Sequence, residues 1–286
     1  MPMMKKTISY LVILILILTG CEEIMDIHFE GDSNKTLVVE GQITSDTMAH
    51  QVVLSWTSDF FEKPPQDMIA GASLSITDGE KTFNLTEAQP GIYQTSPDVY
   101  GEVGKTYTLH INLSDGRKYE ASEELKYCTD FDSIAQSDNY NHGFGRFELY
   151  GYDLLFYGNE PEPVGDYYMF LLYFNDTLIS DTLNEVVFAS DEFVNGGYIH
   201  DLITHFIAED EFKEDSMKVT LEMQSVSMEY YEYLTGLMLE TFWRGTPWDG
   251  PPANVPGNIN NGARGYFRAA DIKRKSRIFY AMPRRE

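Results

Sequence analysis

Side chains capable of covalent or metal chemistry are few and scattered in this 286-residue chain. Cysteine occurs twice, at Cys21 and Cys128, which excludes paired Cys-x-x-Cys zinc sites. An isolated Cys128 reads as a small buried hydrophobe before it reads as a nucleophile. The densest polar cluster is His200-Asp201-Leu202-Ile203-Thr204-His205, with Glu209 and Asp210 close behind. Imidazole and carboxylate are zinc-ligand types, but on a helix residues five apart point about 140° apart, and only a loop would converge them. His200 and His205 are therefore weak metal candidates. No Gly-x-Ser-x-Gly elbow, His-Glu-x-x-His helix, P-loop, dinucleotide fingerprint or spaced calcium loop occurs. Acidic pairs are too numerous for any two to be singled out as glycosidase carboxylates, because that mechanism is defined by separation in space. The expectation is a protein with no catalytic residues and no cofactor.

Cys21 belongs to a different chemistry. Lys5 and Lys6 form a positive flank, and Ile8 to Leu18 is apolar apart from Ser9 and Tyr10. Eleven residues are too few to span a bilayer core, which takes about 18 or more. The run ends in Leu18-Thr19-Gly20-Cys21, which resembles the lipobox of bacterial lipoproteins, where cleavage before the cysteine accompanies thiol lipidation. Residues 1–20 then read as a signal peptide and Cys21 as a lipidated N-terminus, so no disulfide forms within the mature chain. Glu22 and Glu23 resemble the acidic export signal of Bacteroidetes surface lipoproteins. The expected address is the outer membrane, lipid-anchored and on the cell surface, with the periplasmic face as alternative.

Charge narrows the partners. Removing residues 1–20 takes two lysines and no acid, which leaves 19 basic against 45 acidic residues and a formal charge of −26. So acidic a chain excludes nucleic acid and anionic headgroups as expected partners. The distribution is uneven, because Arg264 to Glu286 holds eight Lys or Arg and two acids. That tail is either a contact site or an end neutralised by the chain's own carboxylates.

The elements that must position these residues read as mostly β. Residues 36–127 alternate apolar and polar positions, as in Val52, Leu54 and Trp56, or Tyr107, Leu109, Ile111 and Leu113. Asp78-Gly79 and Asp115-Gly116 sit at hairpin corners, where glycine accepts positive φ. Seven candidate strands in this span predict an immunoglobulin-like or transthyretin-like β-sandwich. Residues 21–35 read as a tether and 128–145 as a linker. Residues 146–286 form a second β-rich domain with expected strands at 146–157, 166–174, 178–188, 217–226, 265–269 and 277–281. One helix is predicted over 228–242, N-capped by Ser227, with Tyr231, Leu234, Met238 and Phe242 in a stripe. A Gly/Pro/Asn-rich loop follows at 244–261, and Trp243, Trp248 and Tyr266 near it are candidate ligand contacts.

Several segments then carry a family resemblance. Leu37-Val38-Val39-Glu40-Gly41-Gln42-Ile43-Thr44, Gly71-Ala72-Ser73-Leu74-Ser75-Ile76-Thr77-Asp78, Gly91-Ile92-Tyr93 and Gly104-Lys105-Thr106-Tyr107-Thr108-Leu109 occur in order, and the stretch Pro252 to Phe267 closes them. This pattern is similar to Bacteroidetes lipoproteins catalogued as domain of unknown function 4249. The resemblance implies an envelope location beside TonB-dependent transporters and a role in nutrient capture; it supplies no catalytic residues. Asp followed by Ser or Thr and an apolar residue also resembles the O-glycosylation sequon of exported Bacteroidetes proteins, at Thr47, Ser133, Thr177, Thr182 and Ser216. The expected function is a non-enzymatic binding or accessory protein taking a glycan or peptide ligand, with an adhesion role or a hydrolase with an unrecognised site as alternatives.

Overall fold

Alternating burial builds the first module of the computed structural model, which describes residues 35–57, 67–137, 140–141, 150–194, 196–242 and 254–281. Cys21, Glu22, Glu23, Trp243 and Trp248 lie outside the described residues. The strands are β1 (Leu37–Thr44), β2 (Gln51–Trp56), β3 (Ser73–Thr77), β4 (Thr82–Asn84), β5 (Thr86–Gln89), β6 (Ile92–Gln94), β7 (Thr106–Asn112) and β8 (Lys118–Glu124). One sheet contains the order β1-β2-β6-β5, and the facing sheet is β4-β3-β7-β8. Every second side chain of β7 and β8 is buried, and Tyr107, Leu109 and Ile111 meet Val39, Val52 and Leu54 in one core. Each such side chain contributes about 2 kcal/mol on leaving water. The predicted hairpin corners form as expected: Gly79 and Gly116 have φ of 87° and 92°, and Asp78 Oδ1 accepts from the Lys81 amide at 2.6 Å.

The second module is also two sheets. Its strands are β9 (Ser133–Gln136), β10 (Tyr140–Asn141), β11 (Tyr150–Asn159), β12 (Tyr167–Phe174), β13 (Thr177–Leu178), β14 (Val187–Ser190), β15 (Tyr198–Ala208) and β16 (Ser216–Val226). Helix α1 (Met228–Thr241), β17 (Arg264–Ala270) and β18 (Ile272–Tyr280) follow. Strands β9, β10, β11 and β15 form one sheet, and β13, β14, β12, β16 and β18 the other. Leu154, Phe156 and Ile207 pack against Phe170, Leu172, Leu221 and Phe279 between them. Among the described residues the chain is therefore mostly β with a single α-helix, late in the sequence, as its patterning predicts.

Four local expectations are corrected. The segment read as linker contains β9, whose Ile134 enters the second core and whose backbone pairs with β11. The strand expected at 178–188 is two short pieces, because Thr182–Glu185 makes a turn between them. The His200–His205 cluster, weighed as a helix or a loop, lies inside strand β15, whose pairing with β11 shifts register twice. Strand β17, assigned to the second domain, instead pairs in parallel with β1 and completes the first sheet as β17-β1-β2-β6-β5. Its Phe267 and Ala269 join the first core, and one residue later β18 pairs with β16 in the second module.

Glycine chemistry seats that returning strand. Gly265 has φ of 90°, and a Cβ there would stand 1.9 Å from the Val39 carbonyl oxygen; at Gly257 it would stand 1.7 Å from the Gly265 oxygen. Only residues without a side chain permit so close an approach. Asn258 then acts as a clasp: its Nδ2 donates to the Phe267 carbonyl at 2.7 Å, and the Phe267 amide donates to its Oδ1 at 2.9 Å. The stretch that carries the family resemblance at the C-terminal end is, in its described part, this seat for β17.

Candidate functional site

Helix α1 starts where both modules meet. Ser227 caps it, its side chain accepting from the Tyr230 amide at 3.1 Å. One side of the helix lies on the outer face of the β12–β16 sheet, where Leu234, Tyr230 and Tyr231 pack with Met169, Val226 and Phe188. Tyr230 and Tyr233 also meet Tyr266 on β17, with ring centroids 4.8 and 5.2 Å from it. Tyr266 is 6% exposed and its hydroxyl donates to Glu123 Oε2 at 2.7 Å. Burial raises the Glu123 carboxyl above its ordinary range, and the Tyr266 hydrogen bond opposes that shift. The ring therefore supports the neighbouring tyrosines, with little of its own surface open to a ligand.

Open cavities lie on both sides of the Tyr233–Tyr266 contact. One, of about 620 Å³, is bordered by Glu123, Glu124, Lys126, Glu229, Glu232 and Asn258. The other, of about 590 Å³, lies between α1 and the outer face of the first sheet. Both volumes fall in the range of small-ligand sites, about 300–1,000 Å³. Strand register organises the floor of the second. Arg268 lies level with Gln42, and Gln51 with Gln94. The register pairing Gly41 with Val52 brings Gln42 level with Gln51 at the next step. Arg268, Gln42, Gln51 and Gln94 thus form one row across four strands, spanning about 14 Å at the usual strand spacing. Beside it, Tyr266, Glu40 and Val53 form the adjacent row. Arg268 donates to the side-chain oxygens of both Gln42 and Gln224, and its guanidinium stands 5.7 Å from the Tyr230 ring centroid. Gln94 Nε2 donates to Gln51 Oε1 at 3.4 Å.

The weak metal candidates His200 and His205, and the lone Cys128, are placed elsewhere. His200 lies against Tyr198 with ring centroids 4.4 Å apart and planes tilted by 56°, while His205 lines a separate cavity of about 380 Å³ with Ser180, Asn184, Glu185 and Glu211. Neither His205 ring nitrogen has a well-formed hydrogen-bond partner. Burial pushes its pKa down to about 4, opposed only in part by the nearby Glu185 backbone. Cys128 is fully buried, and desolvation followed by the adjacent Asp271 carboxylate pushes its thiol pKa well up. One convergence of metal-ligand types occurs among the described residues: Glu160, Asp166 and Asp191 bring ligand oxygens within 4.8 Å of one another. Neither histidine belongs to it. Burial raises Glu160 to about 7, Tyr168 donates to its Oε1 at 2.8 Å, and Asp191 accepts from the Gly165 amide. These internal bonds account for the cluster as it stands.

The hydroxyls of the sequon-like sites are on exposed residues at Thr47, Ser133, Thr177, Thr182 and Ser216. In the described part of the basic tail, three cations meet the chain's own carboxylates: Lys273 pairs with Asp271, Arg274 with Glu222 and Asp46, and Lys275 with Asp130. Among the described residues no helix is long and apolar enough to cross a membrane.

The amide row was not among the residues picked out from sequence, because glutamines on outward strand positions look like ordinary solvated ones. The family model described as Domain of unknown function (DUF4249) matches residues 22–276, and the chain belongs to that family. No curated protein matches it.

Proposed function

Taking membership of this family as its premise, we propose that the chain is a non-enzymatic binding lipoprotein of the outer membrane. It is anchored through lipid on Cys21 with Glu22 and Glu23 directing it to the surface, and it serves as accessory to a TonB-dependent nutrient transporter. The observation that carries the reading is the groove between α1 and the first sheet, a preformed concave site lined by amides and tyrosines. The remaining chemistry favours binding over catalysis. The Cys128 thiol is buried and held protonated, and His205 lacks the carboxylate partner that orients a general base.

Three measurements test it. Cell fractionation of the Cys21→Ala chain should move the protein from the membrane to the soluble fraction; continued membrane association would remove the anchor from the reading. Purification of the wild-type lipoprotein in mild detergent should bring a TonB-dependent transporter with it, and its absence from repeated preparations would remove the accessory role. Intact mass decides the exposed hydroxyls, since a mass equal to the lipidated polypeptide ends the glycosylation reading.

A further inference from the structure

Resting on the groove as the ligand site, we propose that its ligand is an uncharged oligosaccharide. It lies across β17, β1, β2 and β6, its hydroxyls bound by Arg268, Gln42, Gln51 and Gln94 and its ring faces set against Tyr230 and Tyr233.

The row is the first argument. A primary amide has two donors and two acceptor lone pairs, and a hydroxyl both donates and accepts, so neighbouring amides match neighbouring hydroxyls without need of charge. The bonds within the row use one acceptor on Gln42, one on Gln51 and one donor on Gln94. They hold the amides in place and leave the rest of their capacity for a ligand. Because the groups recur at strand spacing, about 4.8 Å, they suit a ligand that itself repeats.

The wall and the charge supply the second. Tyr230 and Tyr233, one helical turn apart, lie 6.0 Å between centroids with an interplanar angle of 26°, which gives the groove an aromatic side facing a polar floor. Sugars need that pairing, since their rings present C–H faces while their edges carry hydroxyls. Among the described residues of the lining, Glu40 and Arg268 are the only charged ones and cancel. The formal charge of −26 on residues 21–286 repels a polyanion before it arrives.

Two peptide modes fit less well. A peptide strand needs a free sheet edge, but β1 and β2, which carry Gln42 and Gln51, are each paired on both sides. An amphipathic helix needs an apolar floor, and the amide row denies it one.

The test uses the lipidated protein in mild detergent, titrated calorimetrically with maltohexaose, cellohexaose and xylohexaose, and with hexagalacturonate as the anionic probe. At least one neutral chain should bind saturably, with affinity reduced about tenfold or more in the Gln51→Ala/Gln94→Ala protein, the loss expected for two ligand hydrogen bonds. Both substituted residues face outward from the sandwich core, and an unchanged melting temperature verifies that the fold is kept. Failure of all three neutral chains overturns the proposal, as does binding unaffected by the double substitution or equal binding of hexagalacturonate. If the sugars fail while the transporter still co-purifies, only the ligand class falls; if the transporter is also absent, the binding reading falls with it.

Discussion

His205→Leu isolates one buried ionisable group. In the folded protein its pKa is about 4, against an ordinary value of 6.5, because burial penalises the imidazolium. The unfolded chain therefore binds more protons between these values, so stability is full above 6.5 and is lost as pH falls toward 4. Taking about 1.4 kcal/mol per unit, the complete loss is about 3 kcal/mol, of which about 2 kcal/mol has gone by pH 5. Urea unfolding at pH 7 and pH 5 measures it directly. The wild-type protein should lose about 2 kcal/mol more than His205→Leu over that interval. Contributions common to both proteins cancel: His50, lowered by its own burial, acts in the same direction, and Glu160, raised to about 7, acts in the opposite one. The titratable groups sharing the His205 cavity are Glu185 and Glu211, and they remain in the variant. Equal pH slopes in the two proteins would refute the reasoning, as would a proton-NMR titration placing the His205 transition above pH 6.

Other expectations follow from single contacts. Gly265→Ala should prevent β17 from pairing and cost about 3 kcal/mol or more, read as loss of the cooperative thermal transition, whereas Gly79→Ala, also at positive φ but in open space, should cost about 1 kcal/mol. Comparable melting temperatures would mean that the Val39 oxygen does not limit position 265. Ser227→Ala removes the α1 cap and should lower stability by about 1 kcal/mol in urea unfolding, with Ser227→Thr, which keeps the hydroxyl beside the buried Glu123, restoring most of it. An Ala variant as stable as wild type would show that packing alone holds the helix. Arg274→Met leaves Glu222, 1% exposed, without its 2.6 Å ion-pair partner. Tyr173 and Gln224 still donate to that carboxylate, so the cost should be about 2 kcal/mol, falling toward zero when Glu222→Leu is added. Two additive losses would break the coupling.

Legibility in the sequence follows whether a feature is local. β2, β7 and β8 are half-buried strands, so their alternation appears residue by residue, and Asp-Gly corners declare the turns from β3 to β4 and from β7 to β8. Helix α1 is equally plain, because Ser227 and the stripe around Leu234 lie within its own span. β15 is not, since two register shifts and Asp201 at φ of 55° break the period that a regular strand would show. β9 is hidden differently: four residues are too few to establish any period, and its identity comes from pairing with β11. The partner of β17 is beyond any local reading, because Arg268 meets Gln42 across 226 residues of chain. The groove inherits that blindness. Arg268, Gln42, Gln51 and Gln94 come from three separated stretches, and each alone is an unremarked polar residue on an outward strand face. Only the combined registers of β17 with β1, β1 with β2 and β2 with β6 bring them into line. Aromatic residues near the Gly/Pro/Asn loop draw attention first; of these Tyr266 borders the groove while 6% exposed, and Tyr230 and Tyr233 from α1 border it beside Tyr266. A search for such sites is therefore better conducted on rows across a sheet than on motifs along a chain, since a sheet's outer face collects ligand groups perpendicular to the sequence that encodes them.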